Sequence, residues 1–381
     1  MSSSKPNGAT PPLERWRSYA GVSWETPANG ADPAPFADSA NSPICGVHFD
    51  ANGRAFVSTP RLVSAKSPAT LSILDTSATT GPARLTAFPS VEGNAIGAAP
   101  DHSLRSLLGF HVDKSNGWLW ALDQGYVAGE PEAPICAQKV LIYDLETGRT
   151  VKRIGLDGAA DRKGSFLNDI AVDEARKVAY ISDSGLRSAP EIKAGIIVVD
   201  FTTGTVRRLL DRHPTVSPQP GVKVMSCGAE VWPGKPLIVG INGIALSPEG
   251  KTLYWTVTTG RNAFSAPTEV LCDAGASKTA VEAMITDLGD VGGNTDGIVT
   301  DAVGNLYITD VTRGGIVKYD PQTKTMALFA SNIGVHWPDT ATINVGGDVV
   351  FTSSNLTQHF AAAVKPGDER FEFWRLRLKS K

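Results

Sequence analysis

Apolar residues in this chain fall in short runs broken by turn formers, and one unit recurs six times. It has a small or polar first residue, a short strand, a turn holding Gly or charge, and a second strand. The copies begin at Cys45-Gly46-Val47, Leu108-Gly109-Phe110, Asn168-Asp169-Ile170, Asn242-Gly243-Ile244, Asp296-Gly297-Ile298 and Pro338-Asp339-Thr340. Counted at residues 46, 109, 169, 243, 297 and 339, the steps are 63, 60, 74, 54 and 42 residues, each enough for one four-stranded sheet. Outer strands are predicted between the copies, as in Lys139–Asp144, Gly195–Asp200 and Gly315–Asp320, each ending on Asp and a turn such as Glu146-Thr147-Gly148.

Six equivalent hairpin units cannot all pair edge to edge without one large curled sheet. Radial stacking buries both faces of each unit and leaves only short edges. The pattern therefore predicts an all-β chain: a six-bladed β-propeller of four-stranded blades around a central channel, over residues 42–381. Residues 1–41, rich in Ser, Pro and Ala, are expected to form a partly flexible N-terminal extension. Two segments are candidates to close the ring, Phe371–Leu376 and Arg15–Tyr19. Two connections exceed ordinary loop length, Gly185–Lys193 and Pro214–Pro236. The second, with five prolines, reads either as a lid on the channel or as a decorated blade connection.

Composition narrows the function classes. Of 381 residues, 41% are hydrophobic and 20% charged, as for a globular protein with a sizeable core, and the 38 Gly and 25 Pro are dispersed, as hairpins require. A net charge of −3 argues against nucleic acid as a partner. No run approaches the ~18 apolar residues of a membrane span, and the N-terminus has no basic start followed by an apolar segment. The four cysteines show no CxxC spacing and read as reduced thiols, so a cytoplasmic location is expected.

The first residue of each inner strand of a propeller points toward the axis. Here that ring would be Cys45, Leu108, Asn168, Asn242, Asp296 and Pro338, with His336, Trp337 and Asp339 at the start of the last copy and Tyr126 in a loop within reach. Polar groups converging in an apolar concavity mark a small-molecule site. Asp296 is the candidate acid–base group and Asn168 and Asn242 the orienting amides; Cys45, Leu108, His336, Trp337, Asp339 and Tyr126 are candidate substrate contacts. The same three oxygen-bearing residues, Asn168, Asn242 and Asp296, are also a possible hard-donor set for Ca²⁺ or Mg²⁺. As plain turn formers at the start of strands they need no function. Trp337 either stacks on an unsaturated ligand or plugs the ring. Strand alternation places His48 and His111 on a blade face as packed, hydrogen-bonded core residues. No GxSxG, HExxH or phosphate-binding glycine loop is present.

Several segments resemble the yellow / major royal jelly protein family: Phe56-Val57-Ser58-Thr59-Pro60-Arg61, Gly109-Phe110-His111-Val112-Asp113, Trp118-Leu119-Trp120-Ala121-Leu122-Asp123-Gln124-Gly125, Ala179-Tyr180-Ile181-Ser182-Asp183-Ser184-Gly185, Ala245-Leu246-Ser247-Pro248-Glu249-Gly250, Ala266-Pro267-Thr268-Glu269-Val270-Leu271 and Trp337-Pro338-Asp339. In order, they cover about Ser42 to Leu356. The resemblance implies a six-bladed propeller; insect members are secreted, so this chain looks like a microbial intracellular relative. Yellow-type relatives are linked to isomerisation of reactive indole precursors and some fungal relatives resemble cyclases of secondary metabolites. A more distant similarity is to gluconolactonase-like propellers, whose central divalent metal is held by Glu, Asn, Asn and Asp. Asn168, Asn242 and Asp296 match three of those positions, while the Glu position falls on Cys45 or Ile44. Three functions are thus open: isomerase or cyclase, metal-dependent lactonase, and non-catalytic ligand-binding propeller.

Overall fold

The computed structural model describes residues 12–24 and 33–378. Within them six blade sheets and one two-stranded hairpin form, and the blades run in sequence order from the axis outward, except where a segment before the first blade adds the outermost strand. The second blade, for example, runs Leu107–Asp113, Trp118–Asp123, Lys139–Asp144 and Thr150–Gly155. Val22–Ser23 adds a fifth, parallel strand to the outer edge of the first blade. Both ring-closing candidates are used. Phe371–Leu376 is the third strand of the last blade, and Leu13–Tyr19 pairs with it as the outermost. The propeller thus begins at Leu13, inside the segment expected as an extension, because the last blade would otherwise lack its fourth strand. The rest of that segment lies partly outside the described residues. No described helix is long and apolar enough to cross a membrane.

Apolar cores lie between successive blades. Trp255, Tyr180 and Ile196 join the third to the fourth, and Trp120 and Ile142 join the second to the third. Full burial of such side chains contributes about 1.5–3 kcal/mol each.

In the last five blades the innermost strand starts with a register irregularity: Leu107/Phe110, Leu167/Asp169, Ile241/Ile244, Thr295/Ile298 and Pro338/Ala341. An extra residue re-aims side chains at the start of a strand. Glycine follows several of these positions for a steric reason. A Cβ on Gly243 would stand 2.3 Å from the Asp296 carbonyl oxygen, and one on Gly109 2.4 Å from that of Asn168. At Gly109, Gly243 and Gly297 the inner strand rests on the next blade's ring residue at backbone contact. Gly243→Ala is therefore expected to destabilise the chain by about 1–3 kcal/mol through overpacking. Gly155→Ala, where the added carbon meets nothing within 4 Å, is the control and should leave the thermal midpoint unchanged.

Candidate functional site

The bulges fix which residues form the axial ring. Pro338 pairs with Ser353 as Thr295 pairs with Asp310, so the residue equivalent to Asp296 is Asp339, not Pro338. A Cβ on Gly297 would strike the Asp339 carbonyl oxygen at 2.5 Å, the same neighbour relation as Gly243 to Asp296. The ring holds two carboxyl groups where the linear repeat indicated one, because reading Pro-Asp against Asn-Gly slips the last copy by a residue.

Above the ring opens a cavity of 310 Å³. Asn168, Asn242, Asp296 and Asp339 form its polar floor with Thr258, and Leu108, Phe166 and Trp337 line the wall. Both long connections contribute. Leu186 and Arg187 come from the first, and Trp232, Leu237 and Val239 from the second and its continuation. The second connection forms a roof: Val224 and Val231 pack with Leu108 and Trp337, and the Trp232 indole donates to the Thr357 carbonyl at 3.3 Å. Thr357, with Leu356 and Phe360, presents one side of the short helix Leu356–Phe360 to the cavity. Tyr126 lies at the rim, its ring centroid 3.7 Å from the guanidinium carbon of Arg187.

Trp337 serves as wall and support together. Its indole Nε1 donates to Asp296 Oδ2 at 2.7 Å, and the ring is only 4% exposed. Its φ of 54° is unfavourable for a bulky side chain, and the indole bond and burial hold it there. The Asn242 amide donates to Thr258 Oγ1 at 2.9 Å and also hydrogen-bonds Asp296. Burial lifts the Asp296 carboxyl to about 7 against the pull of these bonds. Burial and the neighbouring Asp296 and Asp169 carboxylates push Asp339 well above the ordinary range.

Two candidate contacts stand elsewhere. Cys45 is buried against Leu108 and Trp337 behind the wall, its thiol pushed up chiefly by burial. His336 faces outward: its ring is on the exposed surface, bonded to Cys227 and bordering a separate groove, because Trp337 turns inward at the next residue.

His48 and His111 are hydrogen-bonded, as expected, to Thr342 (3.3 Å) and Glu174 (3.1 Å), and His48 packs edge-on against Phe110. They are part-exposed within otherwise buried strands, and their rings lie 6.2 Å apart across two innermost strands. Burial pushes His48 down to about 3, so it is neutral near pH 7.

Asp169, one residue past Asn168, is half-buried and is absent from the cavity lining. Water reaches it, yet the enclosing walls raise it to about 7. The signal in the sequence was its place where other copies carry Gly. Asp169→Asn keeps the acceptor for the Ile170 and Ile244 amides. A carboxyl raised above its unfolded value of 3.8 binds more protons when folded. Its contribution to stability is full below pH ~4 and is lost as pH rises through ~7. The variant's stability relative to the parent should therefore climb between pH 4 and 8, by on the order of a few kcal/mol, read from thermal midpoints across that range.

The floor offers amide and carboxylate oxygens from Asn168, Asn242, Asp296 and Asp339, the donor type of a hard cation. N–H groups of Trp337 and Asn242 already flank the Asp296 carboxylate. Two desolvated carboxyl groups whose charges oppose one another favour retention of a proton.

Fold and site define the class: a six-bladed β-propeller with a roofed axial pocket floored by acids and amides. The sequence model of the family described as Major royal jelly protein matches residues 106–381. The chain belongs to that family. Protein yellow of Drosophila melanogaster is 28% identical over 240 residues, covering 61% of this chain and 42% of that protein. Protein yellow of Drosophila guanche is 27% identical over 235 residues, 61% and 40%. The chain spans less than half the length of these relatives. Among solved structures, a luciferin-regenerating enzyme superposes with a TM-score of 0.52 at 13% identity, covering 89% of this chain and 93% of its own. A gluconolactonase from Xanthomonas campestris gives 0.51 at 14% identity, with 88% and 86% covered. At these identities the structures share the fold alone.

Proposed function

We propose that the protein is a small-molecule enzyme that moves a proton within an amphipathic ligand seated in the axial pocket, in a non-hydrolytic isomerisation or cyclisation. The observation that carries this reading is the desolvated Asp296–Asp339 pair, braced by Trp337 beneath apolar walls. Near pH 7 such a pair holds one proton to give while the other carboxylate accepts, the division of roles that a proton shift between two ligand atoms needs. The Asn168 and Asn242 amides orient the polar edge of the ligand, and the roof and the Leu356–Phe360 helix limit access of bulk water. Resemblance to the yellow-type proteins supports a reactive indole precursor as the first probe. The four thiols are unpaired, which supports a reducing, cytoplasmic setting.

The test is decay of an aminochrome, followed by absorbance with the full chain in buffer and in buffer with EDTA. Turnover above the buffer rate that is unaffected by EDTA supports the proposal. Turnover abolished by EDTA and restored by Ca²⁺ would overturn it in favour of a metal-dependent hydrolase of the lactonase kind.

A further inference from the structure

The roof meets the propeller through a pair of groups that the pocket chemistry does not use. The hairpin Met225–Ser226/Ala229–Glu230 turns at Cys227 (φ 49°) and Gly228 (φ 80°), a left-handed two-residue turn that fixes the direction of the Cys227 side chain. The Cys227 thiol is exposed and lies 3.1 Å from His336 Nδ1. The backbone that carries the imidazole is anchored on both sides. His336 N–H donates to Ser353 Oγ at 2.9 Å, and Ser353 Oγ donates back to the His336 carbonyl at 2.7 Å. The other end of the hairpin is anchored as well, the Met225 amide donating to the buried Asn294 at 2.9 Å.

The remaining thiols are quenched, each for its own reason. Cys45 is buried beside the acidic pair. Cys272 is partly buried and shares a 2.8 Å hydrogen bond with the Tyr180 hydroxyl. Cys136 is exposed, but its hydrogen bond to the Asp157 carboxylate holds its proton on. Only Cys227 combines access with an imidazole within hydrogen-bond reach, the arrangement that activates a thiol.

We propose that Cys227 and His336 form a second reactive site, which captures soft carbon electrophiles of the α,β-unsaturated carbonyl class and thereby releases the roof from the propeller. In the addition the thiol proton passes to His336 Nδ1 and sulfur bonds to the β-carbon. The alkene pair shifts to give an enolate, and the imidazolium returns its proton to that enolate. The adduct takes the place of the Cys227–His336 contact. The same hairpin carries Val224 and Val231 against Trp337, so the modification loosens the roof over the pocket without touching its floor.

N-ethylmaleimide, supplied below one equivalent to the full chain and followed by peptide mass spectrometry, tests both parts. Cys227 should label about tenfold faster than the equally accessible Cys136. His336→Gln, an exposed change, should slow Cys227 by about fivefold and leave Cys136 alone. Amide exchange over residues 222–232 should quicken in the labelled protein. Equal labelling of Cys136, or a Cys227 rate indifferent to His336→Gln, would overturn the reactive pair. Unchanged exchange after labelling would overturn the release of the roof.

Discussion

Replacing Asp296 by Asn is expected to cost roughly 10²–10⁴-fold in turnover, the range that general acid–base catalysis supplies, while leaving the protein folded. The amide keeps an oxygen for the Trp337 indole, which donates at 2.7 Å, so the pocket wall stays in place. What disappears is the exchangeable proton. The same change removes a carboxylate that burial pushes up to about 7. Because the parent Asp296 binds its proton more tightly folded than unfolded, its stabilising contribution fades as pH rises through 7. The variant should accordingly match or exceed the parent's thermal midpoint at pH 8, even as activity is lost. In the parent, the rate should change with pH around neutrality as the Asp296–Asp339 pair gains or loses its shared proton, and that dependence should vanish in Asp296→Asn. Initial rates and melting curves on parent and variant from pH 5 to 9 decide this. A variant that converts substrate at the parent rate would leave the pocket as a ligand-binding site only.

The largest effect on stability is expected outside the pocket lining, at Lys139 and Asp123. Their side chains are fully buried and joined at 2.6 Å. Asp123 also accepts the backbone amides of Arg105 (2.8 Å), Ser106 (3.0 Å) and Gly125 (2.8 Å). It thereby ties the end of one strand to the segment that leads into Leu108. Asp123→Ala would leave a buried ammonium unpaired and three amides unsatisfied, at a cost of about 3–5 kcal/mol or more. Lys139→Met is expected to fall in the same range, since it strands the carboxylate. The double change Lys139→Met with Asp123→Asn restores neutrality and keeps an acceptor, so it should recover much of either loss. Urea midpoints for the parent, Lys139→Met, Asp123→Asn and their double form the cycle, and strictly additive losses would show that the two charges do not depend on one another.

Asp183 and Asp310 repeat this device in the third and fifth blades, paired with Arg208 and Arg313. Their regular recurrence was visible in the sequence as Asp closing the second strand of a copy. Arg313 follows Asp310 by only three residues, but Lys139 and Arg208 each stand on another strand, 16 and 25 residues from their acids, and that pairing was not visible. Contacts of that kind are set by how strands stack and leave no local pattern.

The chain by itself determined the architecture. A repeated alternation of apolar strands and turns admits few ways to bury every face, and six copies of it specify a propeller whose inner strands begin around one axis. It also placed Asn168, Asn242, Asp296, Leu108, Trp337 and Tyr126 at that end of the channel, since each stands at the start of a repeat or in the loop that follows one. Tertiary structure alone decided the rest. One extra residue at the head of a strand reverses which side chains face the axis. For that reason Asp339 entered the ring in place of Pro338, and His336 was left on the surface. The roof and its Cys227–His336 contact join residues more than a hundred positions apart. Nothing short of the folded ring brings such segments together, because hydrophobic period constrains a strand's face locally and carries no information about which distant loop will lie across it.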